Sequence, residues 1–288
     1  MNRGYASMGN RPRKALRVER RPLTPIGNRP REALTCLASA QADAKMFSAG
    51  AGRPVAGGPW RSNSFDSYIA EADRMRWGIR ERRLRETLVE IGARLYARGL
   101  VSANDGNFSA RLDERRILIT PRGRSKGRLR PEDLVVIDRE GRVIQPGRGM
   151  AMPSSEWPMH VEAYRQRPDA GAVLHAHPPF TVALTVAGVP FPSEVLPEVV
   201  MTVGKVPTAR LAIPSSEDDA LAIREWIREH DAVLLPHHGV VTVGRTVEEA
   251  WVILERIEYA AKVYLLSRVL GEARPLPPEF LTALVTAG

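Results

Sequence analysis

Hydrophobic positions fall into a regular order only after about residue 75. Ile79, Leu84, Leu88, Ile91 and Leu95 recur at three- to five-residue steps and predict an amphipathic helix closing at Gly99. Residues 107–112, 116–120 and 134–138 read as strands, with a turn at Glu140-Gly141 before a further piece at 142–144. A helix is predicted from Ser154-Ser155 to about Gln166, with the two serines as N-cap candidates. The runs Gly171 to Leu174 and Ala232 to Leu235 are apolar throughout, as in strands covered on both faces, and the second continues over 240–243 after a turn at Gly239. Ser215-Ser216 caps a predicted helix through Glu229. Thr246, with Glu249 three residues on, is a capping box that opens a long helix ending at Gly271. Helices interleaved with short apolar strands predict an α/β fold, a single three-layer α/β/α domain over residues 66–288. No internal repeat is visible, and the absence of a Gly-rich nucleotide fingerprint argues against a nicotinamide or ATP enzyme.

Charge changes the picture only at the N-terminus. The net charge of +9 resides in residues 1–62, which hold 12 Lys or Arg against 3 Asp or Glu, while the remainder holds 30 of each. The body is neutral, so no nucleic-acid partner is expected. Residues 1–65 are rich in Arg, Pro, Gly, Ala and Ser without an apolar period, and disorder is predicted there. A dispensable extension, with Met46 or Met75 as the true start, is the favoured account; a targeting peptide or a polyanion-binding tail are the competing ones. The apolar runs are too short to cross a bilayer, so no membrane partner is expected. The single cysteine, Cys36, permits no internal disulfide, which fits a cytoplasmic location.

The chemistry gathers around histidine. All six histidines lie between positions 160 and 238. His175 and His177 follow a buried strand with one residue between them, so both imidazoles project to the same side at the strand's end. His237-His238 stands in the same context after Ala232 to Leu235, and adjacent residues point apart, so one of the pair can join the first two. A lone histidine at a strand end is usually just solvated; two such clusters point to a three-imidazole site with an open position for zinc or a similar ion. Glu156, in Pro153-Ser154-Ser155-Glu156-Trp157, is expected in the first turn of its helix. The serines and backbone N–H groups there suit a phosphate, although capping is their commoner role. His160 lies one turn beyond Glu156, either supporting it or packed in the core. The loops 104–109 and 120–127 carry Gly and Asn for close backbone approach, and Arg122 or Lys126 can pair with an anion.

In combination these segments resemble the class II aldolase/adducin family, with L-fuculose-1-phosphate aldolase nearest in motifs. The matching order is Asp-Gly-Asn-Phe-Ser (105–109), Ile-Thr-Pro-x-Gly (119–123), Pro-Ser-Ser-Glu-Trp (153–157), His-x-His (175–177) and His-His-Gly (237–239). The resemblance spans about residues 76–272 and implies an α/β/α domain with a mixed central sheet. It implies metal ligands His175, His177 and His238 for Zn2+, with Mn2+ or Co2+ as alternatives, and Glu156 as the catalytic acid/base. It also implies a substrate-phosphate site of Gly106, Asn107, Arg122, Gly123, Ser154 and Ser155. The implied reaction is cleavage of a ketose 1-phosphate to dihydroxyacetone phosphate and an aldehyde by a homotetramer. Glutamate at position 156 favours the aldolase branch over the epimerases, with dehydratase and decarboxylase chemistry as alternatives on the same site. A non-catalytic adducin-like module is disfavoured because all three ligands and the glutamate are present. Two positions depart from the pattern: Arg122 replaces a small hydroxyl residue, and no tyrosine occurs in 196–204 or after Tyr264, which leaves the second proton donor unassigned.

Overall fold

Residues 77–287 are described by a computed structural model of the chain. The disorder expected for residues 1–65, together with Cys36, Met46 and Met75, lies outside the described residues. The periodic stretch forms α1 (Ile79–Ala97), which buries Leu88, Ile91 and Leu95. Four strands follow, β1 (Asn107–Arg111), β2 (Arg116–Ile119), β3 (Val135–Asp138) and β4 (Val143–Gln145). The remainder alternates as α2 (Trp157–Gln166), β5 (Ala172–Ala176), α3 (Pro179–Val186), α4 (Pro197–Thr202), α5 (Glu217–Ile227), β6 (Ala232–Leu235), β7 (Gly239–Gly244), α6 (Val247–Leu270) and α7 (Pro278–Ala287).

The seven strands lie in the order β4-β3-β2-β1-β5-β7-β6, and every ladder between neighbours is antiparallel. The parallel component of the expected mixed sheet is confined to an isolated bridge, Thr208 to Leu234. Strand alternation divides the side chains between two cores. Phe108, Leu118, Val136 and Leu174 pack with Leu95 of α1, Leu184 of α3 and Leu254 of α6. Ile117, Ile119, Val173 and Val241 pack with Met159 of α2 and Ile223 of α5. The sheet is therefore covered on both faces, giving the α/β/α layers expected from the interleaved pattern.

Local chemistry sets the starts of two helices. Ser216 Oγ accepts from the Asp219 N–H at the start of α5, and Thr246 Oγ1 accepts from the Glu249 N–H at the start of α6. The Glu249 carboxylate caps the N–H of Arg245 rather than that of Thr246, so the reciprocal half of the capping box is displaced by one residue. The helix expected from Ser154-Ser155 begins instead at Trp157, with Glu156 as its N-cap residue. The serines are held outside it: Ser154 donates its N–H to Thr120 O at 3.0 Å, and Pro153 bridges to Pro121, so the chain stays extended up to that point. Helix α3 has no amphipathic period to betray it. Its first N–H groups, those of Phe180 and Thr181, donate to the Glu258 carboxylate of α6 at 3.0 and 2.9 Å, a cap supplied from another helix.

Candidate active site

Three of the six histidines converge at the ends of β5 and of the β6–β7 turn. His175, on the last turn of the pleat in β5, is fully buried on the face toward α2 and directs Nδ1 to Val240 O at 3.1 Å. That bond requires a proton on Nδ1 and leaves Nε2 bare, the arrangement of a metal-binding imidazole. His177 lies just past the strand, its N–H donated to Leu100 O at 3.0 Å. The β6–β7 turn settles which of His237 and His238 joins them. His237 takes a left-handed φ of 57°, stays exposed, and sends its neighbour inward. A β-carbon at Gly239 would stand 2.2 Å from Ala176 O and 2.9 Å from the His177 ring, so only glycine fits there.

The three rings are nearly equidistant, with centroids 4.7 to 4.8 Å apart. The Nε2 atoms of His175 and His177 face each other at 2.9 Å, and one ligand atom from each of the three lies within 4.8 Å of the others. This donor set, three imidazoles of which at least one is oriented by a backbone carbonyl, fits a divalent cation with an open position. Burial depresses the imidazoles of His175 to about 4 and His177 to about 3, so both are neutral near neutral pH, as ligands must be.

Glu156 faces this cluster. Its Oε2 is 3.5 Å from His175 Nε2 and its Oε1 is 3.3 Å from His238 Nε2. Burial opposes its charge, but the hydrogen bonds of His238 and the Asn107 amide, with the charge of His238, outweigh burial and hold the carboxyl well below the usual range, so it is ionised. His238 is displaced upward, its burial overcome by the hydrogen bond and charge of Glu156.

The phosphate-binding candidates are gathered by strand pairing that no single motif reveals. Arg122 donates its N–H to Met152 O and Ser154 donates to Thr120 O, both at 3.0 Å, which lays the Thr-Pro-Arg-Gly loop along Pro-Ser-Ser-Glu. Gly106, Asn107, Arg122, Gly123, Ser154, Ser155, Glu156, His177 and His238 all line one cavity of about 250 Å³. The Asn107 side chain is engaged with Glu156 and His160. His160 reaches Glu156 through that asparagine rather than directly. Lys126, left open as an anion partner, is buried at the cavity wall and donates to Asn104 O at 2.6 Å and Arg124 O at 2.9 Å, tying the two loops together. Burial lowers its ammonium to about 8, and Asp105 and Glu156 counter part of that effect.

Two residues at the site carried no signal in the sequence. Ser215 lines the cavity and exchanges a hydrogen bond with Ser155 at 3.0 Å, yet it reads as an ordinary residue before a helix. Asp219 is buried with Oδ2 lacking a hydrogen-bond partner, and with Glu156 and His238 it offers a second set of ligand atoms within 4.8 Å. Burial raises its carboxyl, and a helix's first turn is too common a place for aspartate to mark it. A larger, mainly apolar cavity of about 820 Å³ near Phe191, Tyr264 and Leu281 contains none of these residues.

The family model for the class II aldolase and adducin N-terminal domain matches residues 86–265, a span that holds every one of these site residues. The chain belongs to the class II aldolase/adducin family. A methylthioribulose-1-phosphate dehydratase from Methylococcus capsulatus is 38% identical over 185 residues, covering 60% of this chain and 88% of the relative. A 3-oxo-tetronate 4-phosphate decarboxylase from Haemophilus influenzae is 34% identical over 184 residues, covering 62% and 86%. Among solved structures, an L-fuculose 1-phosphate aldolase superposes with a TM-score of 0.64 at 29% identity, covering 71% of this chain and 95% of that one. The family's fold is thus this chain's fold, and the chain is a lyase-type enzyme of the class II aldolase superfamily. No helix among the described residues is long and apolar enough to cross a membrane.

Proposed function

We propose that this chain cleaves a ketose 1-phosphate of the fuculose-phosphate type to dihydroxyacetone phosphate and an aldehyde, with Glu156 as acid/base and His175, His177 and His238 as the metal ligands. The observation that carries the reading is the placement of an ionised Glu156 against two of three convergent imidazoles, at the wall of a cavity ringed by phosphate-capable groups. A bound divalent cation, zinc in this proposal, with manganese or cobalt as alternatives, supplies Lewis-acid polarisation of the substrate's carbonyl oxygen. Glu156 takes the proton from the carbon next to the carbonyl in condensation and returns it there in cleavage. Ser154, Ser155, Asn107, the backbone at Gly106 and Gly123, and the cation of Arg122 hold the phosphate, with Lys126 as a further cation at the same wall. That group is remote from the bond that breaks, so its binding energy serves to position the reacting carbons over Glu156. A cytoplasmic homotetramer acting on small sugar phosphates belongs to the same proposal.

A second reading follows from the 38% identity to a methylthioribulose-1-phosphate dehydratase. Removal of the proton beside a carbonyl by Glu156 is also the first half of a dehydration, so the same groups serve if a hydroxyl leaves instead of a carbon–carbon bond breaking. The test uses the full-length chain: bound metal is measured, and a panel of ketose 1-phosphates, 5-methylthioribulose 1-phosphate and 3-oxo-tetronate 4-phosphate is incubated with it. Release of dihydroxyacetone phosphate supports the aldolase; loss of water or carbon dioxide without it moves the chain to the dehydratase or decarboxylase reading. Absence of bound metal in the wild type overturns both.

A further inference from the structure

A line of buried polar side chains runs from the sheet interior to Glu156. Tyr164 OH lies 2.9 Å from Ser109 Oγ, Ser109 Oγ 2.7 Å from His160 Nδ1, and His160 Nε2 2.6 Å from Asn107 Oδ1. The Asn107 amide nitrogen then donates to Glu156 Oε2. Ser109 and His160 have no exposed surface, and Asn107 and Tyr164 have 2% and 6%. Of these four only Asn107 is accounted for by the site as described, and its phosphate role does not explain why three more polar groups stand where the neighbouring core is apolar.

The chemistry of the end groups dictates the direction of every link. The Glu156 carboxylate only accepts, so the Asn107 amide must present NH2 to it and its carbonyl oxygen to His160. His160 must then carry its proton on Nε2 and leave Nδ1 bare for the Ser109 hydroxyl. Ser109, donating its hydroxyl hydrogen bond to His160, accepts from Tyr164. Burial agrees with a neutral ring, lowering His160 to about 4. Were His160 to hold the other tautomer, its bare Nε2 would face the Asn107 oxygen; the amide would turn over and set that oxygen against the carboxylate.

We infer that His160, held by Ser109 and Tyr164, is a positioning residue for Glu156: it decides which way the Asn107 amide faces, and so where the carboxylate stands before the three imidazoles. The inference rests on the assignment of Glu156 as acid/base and deepens it. Removing His160 leaves the Asn107 carbonyl without its donor and the Ser109 hydroxyl with Tyr164 alone, and frees the amide to rotate. The expected result is a fall in turnover with little change in substrate affinity, because none of the three groups behind Asn107 lines the cavity.

The experiment has two arms on the full-length, metal-loaded chain. In the first, His160→Leu, His160→Gln and Ser109→Ala are compared with wild type on whichever phosphate the wild type turns over. Support is a loss of about 10- to 100-fold in kcat for His160→Leu with KM within about threefold and bound metal unchanged. Support also requires that His160→Gln, which can still donate to Asn107, recover most of the loss. Equal kcat in His160→Leu and wild type, or an equal loss in both His160 variants, overturns it. In the second arm, nitrogen NMR of histidine-labelled wild type reads the His160 tautomer, with the resonance assigned by its disappearance in His160→Gln. A proton on Nε2 with bare Nδ1 supports the relay, and the reverse tautomer or a charged ring overturns it. This arm needs no substrate, so an inactive wild type counts against the proposed reaction while the NMR result decides the relay.

Discussion

Asn107 and His175 are directly opposed across the β1–β5 ladder, on the face that α2 covers. One strand pairing therefore puts the residue that orients Glu156 beside the first imidazole of the cluster, although the two are 68 positions apart in the chain. Glu156 completes the corner from the start of α2. The geometry of this candidate site is a consequence of sheet register.

Glu156→Gln keeps the size of the side chain and its contact with Asn107 but removes the base. We expect kcat to fall by about 10²- to 10⁴-fold with bound metal retained, whereas His177→Ala loses metal as well as activity. Steady-state kinetics alongside metal content by mass spectrometry separates the two effects. Substantial turnover in Glu156→Gln would remove the acid/base assignment.

Lys126 predicts an alkaline limit. Its ammonium, lowered to about 8 by burial, is charged below that pH and neutral above it. A phosphate held partly by this cation binds less well once the charge is gone, so kcat/KM should decline above about pH 8, while kcat at saturation declines less. Lys126→Met should show a low kcat/KM without that decline.

Buried His160 predicts acid sensitivity. Its folded-state value of about 4 lies below the ordinary 6.5, so the unfolded chain binds the proton first as pH falls. The stability it contributes is complete above about pH 6.5 and is lost progressively toward pH 4, amounting to roughly 3 kcal/mol from this residue alone. Urea unfolding of wild type and His160→Gln between pH 7 and 4 checks this: the variant should have a shallower decline.

Gly239→Ala should be more damaging than an alanine on the surface. Its β-carbon would overlap Ala176 O, and relief requires β5 and the β6–β7 turn to separate. We expect a loss of about 1–3 kcal/mol in denaturant unfolding and weaker metal binding, because the same movement parts His177 from His238.

Much of this protein was legible in its sequence. The period of α1, the two apolar strands and the caps at Ser216 and Thr246 are local signals, carried by residues that determine their own backbone. The His-x-His spacing is equally local, since alternation along a strand sends positions 175 and 177 to one side whatever surrounds them. The motifs named the family and picked out most of the residues that line the cavity.

Other features had no local cause. Helix α3, apolar apart from Thr181 and Thr185, is capped by Glu258, a residue 77 positions away from Thr181. The start of α2 moved to Trp157 because Ser154 bonds to Thr120 on a neighbouring segment. The choice of His238 over His237 came from a left-handed turn closed against Ala176, and Asp219 reached the site only through the packing of α5. The sequence by itself determined which chemical groups the chain carries and the short-range order of its elements, because those depend on side-chain type and on neighbours within a turn or a strand. Which of those groups face one another, with which tautomer and in what charge state, was decided by tertiary structure, because hydrogen bonding and desolvation act between residues that only the folded sheet brings together.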